Sequence, residues 1–445
     1  EGAGRPYSDA TLTNCLECVM KKKQSVKSVR ATLLLLLGSG LSLECAAFTE
    51  TFYISKGGDG SDPKSGNSAE AYDLNDFNTA NNWHTDDAKD GKIGPNDLVV
   101  IMDDDGAYCS TPGEQFEVQG SGTTGKPITI IGEIGGNTTI RGVWELSGWD
   151  TPGNWNDNTN NVWSFDMSSV TFEEPKRLWL NGVEGLKHEL AGDATATAPW
   201  SYDSSNELLY VFAPSNPAAY YTMIESLATD GPTVPFVLSG RRHIEVSNIN
   251  FEGGREGSLA ILGSSYIHVH DCNIGKDGHY GVVVKGWLPG SSSSHVEIYN
   301  NTIDSNMNLT WGYEWEAAKD AIFLRDAVNN SKIYDNTFAN WAHTTVTLNV
   351  LSYPSPGVYD NLIYNNTITF ANVSSGRAFS FFGGRTAGEQ WCYNNSFRDN
   401  LIIGQLDKSH LDGNDNVALR NIWDNSGTAT GYDVVAQNQD RKSVV

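Results

Sequence analysis

The stretches Ile298-Tyr299-Asn300-Asn301-Thr302-Ile303, Ile333-Tyr334-Asp335-Asn336-Thr337-Phe338 and Ile363-Tyr364-Asn365-Asn366-Thr367-Ile368 state one pattern three times. Looser copies stand at Val246-Ser247-Asn248-Ile249-Asn250-Phe251, Val269-His270-Asp271-Cys272-Asn273-Ile274 and Cys392-Tyr393-Asn394-Asn395-Ser396-Phe397. Each begins and ends on an apolar residue, and successive copies lie 23 to 35 residues apart. A period of this size marks stacked units, none of which buries its apolar side alone.

A second strand follows the copies: Leu259–Gly263, Gly281–Lys285, Ala321–Arg325, Thr345–Asn349 and Ala378–Phe382. The pairs Ala260/Leu262, Val282/Val284, Ile322/Leu324, Val346/Leu348 and Phe379/Phe381 alternate with other residues. Period two directs these pairs inward and their neighbours outward. Stacked rungs then form one continuous core. Asn301, Asn336, Asn366 and Asn395 share the fourth position of their copies, where Asn tolerates a left-handed bend and bonds to backbone. They are expected to stack into a buried ladder. Asn-Gly hairpin turns between neighbouring copies are largely missing, which argues against an antiparallel sandwich.

Working outward, Thr51–Ser55, Asp97–Met102 and Pro127–Gly132 are short apolar runs of strand type that open the β-structure. Residues 143–235 are less regular and rich in Trp, and read as an insertion or side β-structure. The clearest coils span 241–400. Met20 opens a basic stretch that leads into Leu33–Leu37 and the small residues Ala46 and Ala47, so 20–47 reads as an export signal. Residues 1–19 read as upstream sequence. The expected domain is therefore 48–445, a secreted monomer with no membrane span. It keeps Cys109, Cys272 and Cys392, enough for at most one bridge.

The composition agrees. Gly is abundant (45) and Pro scarce (15), while charged residues are 19% and hydrophobic ones 39% of 445 residues. That suits many short strands joined by turns. A net charge of −24 repels nucleic acid and, at long range, an anionic polysaccharide, unless a local basic patch reverses the field.

The Ile-Tyr-Asn-Asn-Thr-Ile copies and their following strands, over about 240–400, resemble the pectin-lyase-like superfamily of secreted right-handed parallel β-helices. Phe52–Gly60 and Gly125–Ile130 are similar to the entry of such proteins. The resemblance implies an all-β solenoid, with lyases, glycosidases, epimerases and non-catalytic adhesins all within its range. The polygalacturonase motifs and the Arg-His-Gly segment of chondroitinase-B-like alginate lyases are absent, so no catalytic residue carries over by motif.

The register itself nominates residues. The last outward position of the second strand reads Gly263, Lys285, Arg325, Asn349 and Phe382. Two residues before each strand the series reads His279, Lys319, His343 and Gly376. Lys285, Arg325, His279, Lys319 and His343 are expected to form one basic cluster on an outer face. Such a cluster suits β-elimination on a uronic acid, which needs a base, a cation for the carboxylate and an acid for the leaving oxygen. His279 or Lys319 is the expected base, Arg325 and Lys285 bind the carboxylate, and His343 is the candidate acid. Asp320 and Asp277 are candidates to orient a base or bind Ca²⁺. The rival is a glycoside hydrolase, which needs two facing carboxylates. Met307–Ala318 offers Glu314 and Glu316 beside Trp311, Tyr313 and Trp315, rings that stack on sugars, and Asp320 with Asp326 is a further pair. A third reading is a non-catalytic polysaccharide binder. Asp103–Asp105 and Asp59/Asp62 are candidate Ca²⁺ loops, and no other cofactor is implied.

Overall fold

Inward residues at strand spacing stack into a parallel coil in the computed structural model. It describes residues 48–436 except 86–90, 105, 110–113, 169–173, 189, 229–233, 277, 287–290, 306–319, 342, 351–356, 371–375, 383–391, 405–408, 412–414 and 425–433. The upstream segment 1–19 and the export signal 20–47 lie outside the described residues, as do Lys319, Asp277, Trp311, Tyr313, Trp315, Glu314 and Glu316.

Three parallel sheets wrap the coil. The first has 13 strands and runs from Thr51–Ile54 through Ser265–His270 and Ser293–Tyr299 to Val417–Leu419. The second has nine, including Leu259–Leu262, Tyr280–Lys285, Asp320–Arg325, Thr344–Asn349 and Arg377–Phe381. The third has eight, including Thr139–Gly142, Asn250–Gly253, Asn273–Gly275 and Thr302–Asp304. The chain passes from second to first to third sheet and back, giving a right-handed parallel β-helix. Among the described residues helices are short, Leu74–Asn78 and Pro217–Tyr220. None is long and apolar enough to cross a membrane.

The core is a set of stacks. Val246, Val269, Ile298, Ile333, Ile363 and Phe397 are register partners on successive rungs, all within 2% of full burial. Each contributes about 1.5–3 kcal/mol relative to exposure. Beside them runs the Asn ladder. Asn301 Nδ2 donates to Asn336 Oδ1 (3.0 Å), Asn336 to Asn366 (3.0 Å), Asn366 to Asn400 (2.9 Å) and Asn400 to Asn421 (3.0 Å). Each of these Oδ1 atoms also accepts the backbone N–H of the preceding Asn, so the buried amides are paired. The preceding position is left-handed: Asn300 has φ 55°, Asp335 55° and Asn365 54°.

Two expected registers are corrected. Asn395 does not join that ladder. It stacks between Asn361 and Asn416 in a second one. The rung equivalent to Ile363–Ile368 is Phe397-Arg398-Asp399-Asn400-Leu401-Ile402, because Ile363 pairs with Phe397 and Ile368 with Ile402. In the second sheet Leu259 pairs with Val282 and Ile261 with Val284. The inward pair is thus Leu259/Ile261, not Ala260/Leu262, and Leu262 rather than Gly263 lies beside Lys285.

The Trp-rich insertion is more regular than its composition suggested. It forms two antiparallel four-stranded sheets, one containing Pro175–Leu180 and Ile224–Ala228, the other Val162–Asp166 and Leu208–Phe212. Trp144, Trp149, Trp155 and Trp200 join the main core. Arg177 and Glu184, 0% and 2% exposed, bond at 2.6 Å, and Arg177 Nη2 donates to Ser305 O, tying the insertion to the coil. Cys109, Cys272 and Cys392 are free and buried.

Candidate active site

The outer face of the second sheet has three columns of side chains. Tyr280, Asp320, Thr344 and Arg377 are partners in the first. Val283, Phe323, Thr347 and Ser380 form the middle. Lys285, Arg325 and Asn349 form the last. Ala321 and Ile322 are consecutive core residues, and Tyr280, Val283 and Phe323 form a separate apolar cluster outside the core. This local irregularity turns the first column outward.

The expected basic cluster is divided between the two ends of these strands. Lys285 and Arg325 are direct neighbours at the C-terminal end, as the repeat implied. His279 and His343 stand at the N-terminal end, roughly 16 Å away along the backbone by the rise of five residues, although the long side chains lean toward each other. Each is held by a carboxylate. His279 Nδ1 faces Glu256 Oε2 at 3.8 Å, an ion-pair distance. His343 Nδ1 lies 2.6 Å from Asp320 Oδ1, and Asp320 is 1% exposed. On the other side of the ring, His343 Nε2 lies 3.5 Å from Arg377 Nη1. Arg377 Nε is buried and has no hydrogen-bond partner among the described residues. Asp326 bonds Arg325 Nε at 3.2 Å.

Nδ1 of His343 thus points at the Asp320 carboxyl. Nε2, on the opposite edge of the ring, faces the Arg377 guanidinium. The side chain is 19% exposed. Electrostatics couple the two ends. His279 above all, then Arg255 and Arg325, hold the Glu256 carboxyl below its ordinary range against the opposing effect of burial. Burial first, and then Arg325, lower the Lys285 pKa, with Asp326 and Glu256 opposing.

Sequence reading missed Glu256 and Arg377. Glu256 is the first member of the series Glu256, His279, Lys319, His343, and was hidden by the one-residue offset of its strand. Arg377 belongs to the first strand column, which the reading did not follow. Asp103 and Asp104 are occupied as acceptors: Asn137 N–H donates to Asp103, and Lys56 N–H and the Tyr108 hydroxyl donate to Asp104. Asp59 and Asp62 accept from the backbone of Ser61 and Lys64. Among the described residues no three His, Cys, Asp or Glu side chains converge as metal ligands.

The fold is a right-handed parallel β-helix. That statement stands on the strand register above. No family model matches the chain, and no curated protein matches it. Among solved structures it is similar to a glycoside hydrolase (12% identity, 84% of this chain and 96% of that chain, TM-score 0.45). It is also similar to the alginate lyase from Paenibacillus sp. str. FPU-7 (12%, 74% and 91%, TM-score 0.38) and to pectate lyase Pel9A (8%, 89% and 79%, TM-score 0.39). Likenesses this distant say nothing about chemistry.

Proposed function

We propose that this chain is a secreted enzyme that cleaves a uronic-acid-containing polysaccharide by β-elimination. The observation that carries the proposal is His343 held between Asp320 and Arg377. A base and a cation at adjacent points are what removal of a proton next to a carboxylate demands. His343 Nε2 takes the C5 proton. The electron pair forms the C4–C5 double bond, the C4–O bond breaks, and the leaving oxygen takes a proton from solvent. Arg377 neutralises the carboxylate on C5, which draws charge as the proton leaves. Asp320 holds the ring and balances its positive charge.

This reading moves the base from His279 or Lys319 to His343, and His343 from acid to base. Lys285 and Arg325, far along the strand, suit the carboxylates of neighbouring sugar residues. Hydrolysis instead needs one carboxyl to donate a proton and another to attack or to activate water. Asp320, Asp326 and Glu256 are each engaged by a cationic or imidazole group, which favours elimination.

The test is a panel of acidic polysaccharides (alginate, polygalacturonate, glucuronan, chondroitin) read by ultraviolet absorbance and by reducing ends. Absorbance that grows with the wild type and vanishes with His343→Gln supports elimination. Reducing ends without absorbance mean hydrolysis. Neither, on the whole panel, means a non-catalytic binder.

A further inference from the structure

We propose that the outer face of the third sheet holds a second glycan site, selective for an uncharged, hydroxyl-rich stretch of chain. A groove of about 300 Å³ lies there, lined among others by Thr139, Asn250, Glu252, Asn273, Lys276 and Thr302. That volume is at the small end for ligand sites and holds about one or two sugar rings.

The groove follows from the register. Thr139, Asn250, Asn273, Thr302, Thr337 and Thr367 are partners in one column on successive rungs. In the neighbouring column Glu252 pairs with Gly275, and Gly275 with Asp304. A Cβ on Gly275 would come within 2.3 Å of Asp304 O, so this rung carries no side chain and the face dips. One wall is therefore a line of amides and hydroxyls at the ~4.8 Å rung spacing, close to the length of one sugar residue in an extended chain.

Those amides are only partly used. Asn273 Nδ2 donates to Asn250 Oδ1, and Asn250 Nδ2 to Asn137 Oδ1, each at 2.7 Å. Asn273 and Asn250 are exposed or half-exposed, unlike the buried ladder. An amide has two N–H groups and two lone pairs, so each retains capacity for a hydroxyl, itself both donor and acceptor.

Charge sets the preference. Arg141 bonds Glu225 and Glu252, and Lys276 Nζ lies 3.2 Å from Glu252. Both cations here are already matched by carboxylates, so an acidic sugar gains little. The candidate active site differs in gathering three cations, Lys285, Arg325 and Arg377, on one sheet face. A long substrate can place acidic residues there and a neutral segment here.

The test uses the full chain carrying His343→Gln, which separates binding from cleavage. Cello-, xylo- and mannohexaose are titrated by calorimetry, with hexagalacturonate as the acidic comparison. At least one neutral hexasaccharide is expected to bind. Asn273→Trp, which fills the groove, should weaken it about tenfold or more, a change of ~1.4 kcal/mol. Asn250→Asp, nearly isosteric but without the amide donors, should weaken it as well. In the otherwise unaltered enzyme, Asn273→Trp should leave cleavage of short acidic oligosaccharides unchanged. The proposal is overturned if no neutral hexasaccharide binds, if both variants bind as before, or if hexagalacturonate occupies the groove more tightly. Loss of cleavage in His343→Gln bears only on the active-site reading.

Discussion

Nδ1 of His343 lies 2.6 Å from Oδ1 of Asp320, a buried carboxylate on the preceding rung of the same sheet. The contact is diagonal: Asp320 begins its strand, and His343 precedes the next. Arg377 completes the line from the rung beyond. Asp320→Asn removes the charge that holds the imidazole. Turnover should fall by about 10²- to 10⁴-fold, the usual worth of a positioned acid or base. Circular dichroism should remain that of the wild type. An unchanged rate would remove Asp320 from the mechanism.

Lys285 sits beside Arg325, and burial together with that guanidinium lowers its pKa. Arg325→Gln removes the repelling charge. The Lys285 pKa should therefore rise toward the ordinary lysine value, readable by NMR titration of the labelled ammonium. A further fall would show that Asp326, released from Arg325, is not acting on Lys285 as described.

The Asn366 side chain joins five hydrogen bonds in the ladder: Asn336 N and Nδ2 donate to its Oδ1, and its Nδ2 donates to Asn400 Oδ1, Ile333 O and Tyr364 O. Asn366→Ala strands buried groups on both neighbouring rungs. The expected loss is roughly 2–4 kcal/mol, at one to three for each group left unpaired. Chemical denaturation measures it. Asn395→Ala should cost a similar amount through the second ladder, whereas a ladder-free Asn395 would show almost no effect.

On the first sheet His270 bridges Glu245 (2.9 Å) and Asp271 (2.7 Å) and stacks on Tyr299. Burial opposes the charge on His270, but the hydrogen bonds to Glu245 and Asp271 outweigh it and raise the pKa. The same bond to His270 lowers the Glu245 pKa. A raised imidazole stabilises the fold below its unfolded pKa of ~6.5 and loses that effect as pH rises through the folded value. A lowered carboxyl stabilises above ~4.3 and loses the effect as pH falls. The pair is thus most stabilising between those limits. Glu245→Gln should flatten the stability profile on both sides of that window. A profile identical to the wild type would show that the pair is not coupled to folding.

Part of this was legible in residues alone. The Ile-Tyr-Asn-Asn-Thr-Ile copies carry their own register, since an inward apolar residue and a bend residue recur at fixed offset. Lys285 and Arg325 could be placed together because Val282/Val284 and Ile322/Leu324 fix the faces of their strands. The pattern misled where it was degenerate. Cys392–Phe397 keeps the Tyr-Asn-Asn of the motif, yet its tyrosine stacks on Tyr359, not Tyr364. Leu259-Ala260-Ile261-Leu262 is apolar throughout and does not say which alternate pair faces the core.

The sequence by itself determined a stack of rungs, because period-two apolar pairs recurring once per coil have no other way to leave water together. Which side chains meet across rungs was decided only by the tertiary structure. A slip of one residue turns a strand over, and a local irregularity ahead of Ile322 sends Asp320 outward toward His343. That contact depends on atomic positions a few ångströms apart on strands more than twenty residues distant, which no local pattern encodes.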